Sequence, residues 1–303
     1  MSHDCTPTIT TPDWRAEFNR LEGAYAPSTI RSYHADLSTY ERWCSKSGVA
    51  MFPATPEQVC AFLDEDARRA TASTVRRRLY AIRKAHRLLN LPDPTHDEEI
   101  NLTLRRIRRL KHIRPTQAKG MTEAYLLDFI ATEPDTPTGL RNRAMMSLGY
   151  DLLTRRSELV ALQDADVAPS ASGTYRFLIR RSKSDPFGAG RIAFCSPRTA
   201  KLLDAWRDWR GKNTWLFCPI YQDKPINRSL SDTTVKRLIR AAARRCCDPE
   251  MARAFSGHSM RVGAAQDLLK RGLDTVGIMR AGGWKSVNVL ARYLENADHN
   301  PWL

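Results

Sequence analysis

Gly257-His258-Ser259-Met260-Arg261-Val262-Gly263-Ala264-Ala265 is the stretch on which the reading of this chain turns. His258 and Arg261 stand three apart, so a helix starting here puts both on one face, within reach of a single anion. The apolar spacing predicts that this helix runs over about 259–271. A lone His and Arg at this spacing is often incidental, and its weight depends on what flanks it.

Downstream, helices are expected over about 274–281 and 286–295, separated by Gly282-Gly283-Trp284, and the second carries Tyr293. Upstream, Leu153-Thr154-Arg155-Arg156-Ser157-Glu158-Leu159 follows a long apolar helix over about 140–153. Between them the period changes from helix to strand. Tyr175, Phe177 and Ile179 alternate with Arg176, Leu178 and Arg180, and Ile192 and Phe194 alternate again after Asp185-Pro186-Phe187-Gly188. That predicts a β-hairpin with a glycine-containing turn, and Lys183 lies between its strands. Further helices are expected at about 124–130, 197–210 and 231–245.

The N-terminal third shows helical periods only. Ile30, Tyr33, Leu37, Tyr40 and Trp43 repeat at helical spacing; Thr55-Pro56-Glu57 opens a second helix; Ser73 or Thr74 caps a third; Asp97 or Asn101 starts a fourth that ends near Lys111. The expected organisation is a tail over residues 1–12, a helical domain over 13–112, a Pro- and Gly-punctuated linker over 113–120 and a second domain over 121–303. The fold class is mainly α, with a helical N-terminal domain and a mostly helical second domain holding a small antiparallel β-sheet.

Lysine and arginine number 48 against 33 acids, a formal net charge of +15, and the excess is clustered. The third helix carries Arg76, Arg77, Arg78, Arg83, Lys84 and Arg87 with no acid among them. Arg105, Arg106, Arg108, Arg109, Lys111 and Arg114 lead into the linker, and Lys236, Arg237, Arg240, Arg244 and Arg245 share another helix. Crowded cations repel unless an anion neutralises them, and a basic helix fits the DNA major groove. A merely solvated basic face is the plain alternative; double-stranded DNA is the favoured partner, held between basic surfaces on both domains. The seven cysteines include no Cys-x-x-Cys pair, so neither a disulfide framework nor a zinc site is expected, and the vicinal Cys246 and Cys247 suggest local packing. No membrane span or signal peptide is expected, and the location expected is cytoplasmic. No phosphate-binding glycine loop and no carboxylate cluster for Mg²⁺ is found, so no metal and no cofactor is expected.

Taken singly, each site element has an ordinary explanation. Arg155 and Glu158 would form an intrahelical ion pair, Lys183 would be solvated at a hairpin tip, and Tyr293 would be a packing residue. Together and in this order, Arg155, Lys183, His258, Arg261, Trp284 and Tyr293 resemble the tyrosine recombinase, or phage integrase, family. The resemblance spans nearly the whole chain. The stretch around His258 and Ile278-Met279-Arg280-Ala281-Gly282-Gly283-Trp284 is especially similar to the Cre-like recombinases. Arg155 rather than Arg156 is assigned to the site, because it lies three before Glu158 as in the family's Arg-x-Ser-Glu-Leu motif.

That resemblance implies a site-specific recombinase with a SAM-like, core-binding N-terminal domain and a C-terminal catalytic domain. Tyr293 would attack a DNA phosphate, leaving a 3′-phosphotyrosine and a free 5′-hydroxyl. A phenol ordinarily keeps its proton near neutrality, with a reference value of about 10. His258 would accept or relay that proton, Arg155 and Arg261 would hold the non-bridging oxygens, and Trp284 would donate its indole N–H. Lys183 would protonate the leaving 5′-oxygen, and Glu158 would orient its neighbours. Thr233 stands early in a DNA-reading helix where Cre-like members carry arginine, which implies a different target, since threonine lacks arginine's bidentate contact to guanine. Four subunits on two target sites are implied, each docking a C-terminal tail on its neighbour; here the tail is short, with Trp302 and Leu303 as its apolar residues. The rivals are a type IB topoisomerase-like DNA relaxing enzyme, which strand exchange would distinguish, and a non-catalytic DNA-binding protein, which a covalent adduct would exclude.

Overall fold

The computed structural model of the 303-residue chain describes residues 13–111, 117–180 and 190–297. Lys183, Arg114, the tail residues Trp302 and Leu303, and the stretch 1–12 lie outside the described residues. Contacts divide the chain into two units, Met1–Pro115 and Thr116–Leu303.

Among its described residues the first unit holds helices and no strand: Trp14–Phe18 (α1), Pro27–Ser47 (α2), Pro56–Ala67 (α3), Ala72–Leu88 (α4) and Glu98–Leu110 (α5). Its helix starts follow local chemistry. The Thr55 side chain accepts the Gln58 amide at 3.3 Å with Pro56 in the first turn, and Asp97, not Asn101, caps α5 by accepting the Glu99 amide at 2.8 Å. The cap of α4 is neither Ser73 nor Thr74 but Thr71, whose Oγ1 accepts the Thr74 amide at 3.3 Å. Ser73 and Thr74 already lie in the first turn, where their own amides need partners. The apolar stripes close on a core of Leu37, Tyr40, Phe62, Leu63, Leu79, Ile82, Ile100 and Ile107. Each large side chain buried there contributes about 1.5–3 kcal/mol.

The second unit begins with Glu123–Ala131 (α6), Pro137–Asp151 (α7) and Arg156–Ala161 (α8). A three-stranded antiparallel sheet follows, in the order Val167–Pro169 (β1), Tyr175–Ile179 (β2), Arg191–Phe194 (β3). Then come Pro197–Arg210 (α9), the short pair Ile220–Tyr221 (β4) and Lys224–Pro225 (β5), Asp232–Cys246 (α10), Pro249–Ala254 (α11), Ser259–Lys270 (α12), Thr275–Gly282 (α13) and Val287–Leu294 (α14). The core gathers around α7, which is buried from Ala144 through Tyr150, with Phe129, Leu203, Trp206, Val235, Ile239 and Phe255 around it. Burial on all sides is why α7 reads as apolar rather than amphipathic.

Two sheet features depart from expectation. Strand β1 is a third partner, with Val167 opposite Phe177; three residues are too few for a periodic signal. Strand β3 also faces the other way from what its apolar residues suggest. Ile192 and Phe194 are 50% and 58% exposed, while Arg191 and Ala193 share the inner face. The pairing decides this: Phe177 is opposite Ala193, so Leu178 and Ile192 are opposite each other on the outer face. Because the side-chain period is two, register with β2 overrides the hydrophobicity of β3. No helix among the described residues is long and apolar enough to cross a membrane.

Candidate active site

Two helix ends build the site. Helix α7 stops at Asp151, and Leu153 takes a left-handed conformation (φ 49°), closing the end with its amide on Tyr150 O at 3.1 Å and the Thr154 amide on Gly149 O at 3.3 Å. This cap normally calls for glycine. Helix α13 ends in the same way at Gly283 (φ 67°), with the Trp284 amide on Met279 O at 2.9 Å. The residues leaving these two ends are Arg155 and Trp284.

Arg155 precedes α8, where Glu158 holds it twice: the carboxylate accepts the Arg155 backbone amide at 3.0 Å and its Nη1 at 2.6 Å. The ion pair anticipated from spacing therefore exists, between the residue that caps the helix and a buried Glu158 in its first turn, rather than within the helix. Arg156 turns instead toward Asp232 of α10, at 3.6 Å. His258 sits just before α12 rather than inside it. Arg261, one turn later, is fully buried; its Nη1 donates to Leu153 O and, at 2.8 Å, to Gly282 O, and its guanidinium lies 3.9 Å from the Trp284 ring centroid.

Helix α14 brings Tyr293 into this cluster. Its Oη is 2.6 Å from His258 Nε2, and its ring packs at 4.9 Å from Trp284 and 5.2 Å from His258. Behind it, Gln266 Nε2 donates to Tyr293 O at 3.3 Å, and Gln117 Nε2 donates to Arg292 O. Five of the six residues in the anticipated set thus meet, from segments up to 138 positions apart in sequence (155 to 293).

The electrostatics suit an anion. Arg155, Arg191 and Arg261 gather around one carboxylate, Glu158. Among the described residues, Arg261 Nε and Nη2, and Trp284 Nε1, are buried N–H groups without a hydrogen-bond partner. Buried donors left unpaired are costly unless something is bound there. Burial first, then Arg261, Arg155 and Arg156, push the His258 imidazole down to about 4. It is therefore neutral near pH 7, and with the ring proton on Nδ1 its Nε2 accepts from the tyrosine hydroxyl. An anion placed among the arginines would offset their effect and raise its proton affinity.

A pH dependence of stability follows. Burial likewise lowers His86, whose Nε2 accepts the Ala54 amide at 3.0 Å in the first unit. A histidine lowered on folding binds fewer protons folded than unfolded, so its stabilisation is present above the unfolded value and is lost as pH falls toward the folded one. For His258 that window runs from near 6.5 down to about 4, with a limiting slope of about 1.4 kcal/mol per pH unit. Thermal melting of the free protein should drop between pH 7 and 5, and His258→Gln should flatten the drop; superimposable pH profiles would contradict the assignment.

The basic surfaces separate into two kinds. In α4, the acids absent from its own sequence arrive from neighbouring helices. Arg77 pairs bidentately with the buried Asp36 at 2.7 and 2.8 Å, and Arg78 is tied to Asp66. Arg83 donates to Thr95 Oγ1 at 2.8 Å, Lys84 to Tyr25 Oη at 2.8 Å and Arg87 to Asp93 at 3.3 Å. Arg78, only 19% exposed, is a structural tie, whereas Arg76 is exposed beside Tyr80, and Arg77 and Arg87 stay about half exposed. On α5, Arg105, Arg106, Arg108 and Arg109 are all exposed, and on α10 so are Thr233, Lys236 and Arg237.

Arg191 is the site residue that motif reading missed. The available signal was parity: with Phe177 facing inward and paired to Ala193, a charged residue at 191 must also face inward.

The sequence profile of the phage integrase family matches residues 119–300, and that of the phage integrase N-terminal SAM-like domain matches residues 17–90. The chain is similar to the recombinase cre of Escherichia phage P1, at 27% identity over 294 residues covering 91% of this chain and 86% of that one. It is 31% identical over 295 residues to an integrase/recombinase xerD homolog of Selenomonas ruminantium, covering 92% of this chain and 84% of the other. Among solved structures it shares its fold with the XerH site-specific recombinase bound to a palindromic difH substrate, at a TM-score of 0.66 and 19% identity over 90% of this chain and 77% of that one. A lambda integrase tetramer bound to a Holliday junction gives a TM-score of 0.63 at 15% identity, over 95% and 78% of the two chains.

Proposed function

We infer that this chain, which belongs to the phage integrase family and is a tyrosine site-specific recombinase that cleaves and religates DNA, does its chemistry with Tyr293 as the nucleophile. The observation that carries the assignment is the 2.6 Å contact between Tyr293 Oη and a neutral His258 Nε2, beside three buried N–H groups without partners.

The proposed steps balance without an added reactant. A DNA phosphate enters with its non-bridging oxygens on Arg155, Arg261 and the Trp284 indole. Tyr293 Oη attacks phosphorus as its proton passes to His258. The bond to the 5′-oxygen breaks, and Lys183 supplies the proton to that oxygen. The products are a 3′-phosphotyrosine and a 5′-hydroxyl. A 5′-hydroxyl from the partner duplex then attacks the phosphotyrosine, so the phosphoester bond is conserved and no nucleotide hydrolysis is needed. We assign DNA contact to residues 13–112 and catalysis to 121–303, with Arg76, Arg77, Arg87, Arg105, Arg106, Arg108, Arg109, Thr233, Lys236 and Arg237 supplying exposed contacts. Two duplexes present four strands to cut, and one Tyr293 per chain calls for a homotetramer on two target sites.

The test is a covalent trap. The target is first selected from a randomised duplex pool by the purified full chain, and a nicked duplex carrying that site is then incubated with it. A covalent adduct mapping to the peptide that contains Tyr293 is expected. Failure to select a site or to form an adduct overturns the reading, and an adduct without exchange between two duplexes points to the relaxing activity instead.

A further inference from the structure

The two helix ends that launch Arg155 and Trp284 leave their last carbonyls without helical donors, at the negative ends of the helix dipoles. Four of these carbonyls are held by only two side chains. Arg261, from α12, takes Leu153 O and Gly282 O. Arg191, the first residue of β3, takes their neighbours: Nη2 donates to Leu152 O at 2.7 Å and Nη1 to Ala281 O at 2.7 Å. Nη2 of Arg191 also lies 3.9 Å from Glu158 Oε2, the carboxylate that holds Arg155, and the side chain is 15% exposed.

The site is shaped to admit this guanidinium. A Cβ on Gly283 would stand 2.9 Å from Arg191 Cδ and 3.1 Å from its Nε, so the glycine that gives α13 its left-handed end also lets Arg191 lie against it. Arg191 and Arg261 thus tie the same two segments, 152–153 and 281–282, from opposite elements. Their difference is what remains unused. Arg261 keeps Nε and Nη2 without a partner among the described residues, while Arg191 places both terminal nitrogens on carbonyls.

We propose that Arg191 is a positioning residue for strand cleavage: by clasping the ends of α7 and α13 it sets Arg155 and Trp284 in place and leaves two donors of Arg261 for the phosphate. Without it, Leu152 O and Ala281 O lose their donor, and the unused N–H groups of Arg261 are the nearest cationic replacement. Lysine cannot substitute, because one ammonium on a flexible stem does not span two carbonyls as a planar guanidinium does.

This inference rests on Tyr293 being the nucleophile, and the experiment separates the two. Single-turnover adduct formation is measured on the selected nicked duplex for the wild type, Arg191→Lys and Arg191→Met, together with half-site binding and melting temperature. Both variants should bind the half-site as the wild type does, yet form adduct about 10²-fold more slowly, the scale on which small misplacement of catalytic groups acts. Combining Arg191→Lys with Trp284→Phe should cost less than the product of the two single losses, because both act on one arrangement. If Arg191→Met fails to fold, Arg191→Lys decides. Wild-type cleavage by the lysine variant, or losses that simply multiply, overturn the inference while leaving Tyr293 standing; absence of any adduct from the wild type overturns the nucleophile assignment instead.

Discussion

Tyr293→Phe is expected to abolish covalent attachment to DNA and to leave DNA binding and the fold almost untouched. The substitution removes one oxygen. The ring keeps its neighbours, Trp284 at 4.9 Å, His258 at 5.2 Å and the Arg261 guanidinium at 5.6 Å. What is lost is the hydrogen bond to His258, a stability change on the order of 1 kcal/mol for a single such bond, together with the hydroxyl's weaker interaction with Arg261. Phosphate contacts through Arg155, Arg261 and Trp284 do not involve the hydroxyl, so half-site affinity should hold. Cleavage has no alternative on this reading, since among the described residues Tyr293 Oη is the hydroxyl that stands against His258 Nε2. Gel analysis of the nicked duplex should therefore show bound but never covalent protein. A persistent adduct on the variant would place the nucleophile elsewhere.

Lys183→Ala should slow cleavage by about 10²–10⁴-fold, the usual contribution of a positioned general acid, with little effect on binding. An alkoxide leaves phosphorus with difficulty unless protonated. Replacing the 5′-bridging oxygen by sulfur gives a leaving group stable as an anion, so the variant should recover most of its rate on that substrate. Tyr293→Phe should not recover, because its defect is on the attacking side. Lys183 lies outside the described residues, but the strands on either side of it are anchored: Ile179 pairs with Arg191, and Arg191 is bonded to the ends of α7 and α13. Failure of the sulfur substrate to rescue would remove Lys183 from the role of acid.

A family relationship and its class of chemistry are legible in this chain because the motif residues that carry the resemblance are few, ordered and chemically specific. Arg155, His258, Arg261, Trp284 and Tyr293 were named through the family resemblance that their joint order carries, and the fold brings them together. The helix starts at Thr55 and Asp97 were legible because the capped amides are two or three residues away, whereas at α4 Thr71, Ser73 and Thr74 stand within four positions and local pattern did not single out Thr71. Short pieces were not legible. Helices α8 and α11, at six residues each, and strand β1, at three, span too little chain to show a period.

By itself the sequence determined the family resemblance and the candidate residues it points to, the helical character of both units and the excess of positive charge, because each depends on residue identity, order along the chain or neighbours within a turn. Tertiary structure decided how those groups are used. It paired Arg77 with Asp36 and Arg78 with Asp66, 41 and 12 positions away, so an acid-free helix proved to be partly neutralised from outside. It turned Ile192 and Phe194 outward and Arg191 inward through register with β2, and it set Arg156 against Asp232 while Arg155 stays with Glu158. It held Leu153 at a left-handed angle with its carbonyl on Arg261. Each of these depends on a partner distant in sequence, and whether a charge is free, paired or pressed against a helix end is a property of that partner as much as of the residue.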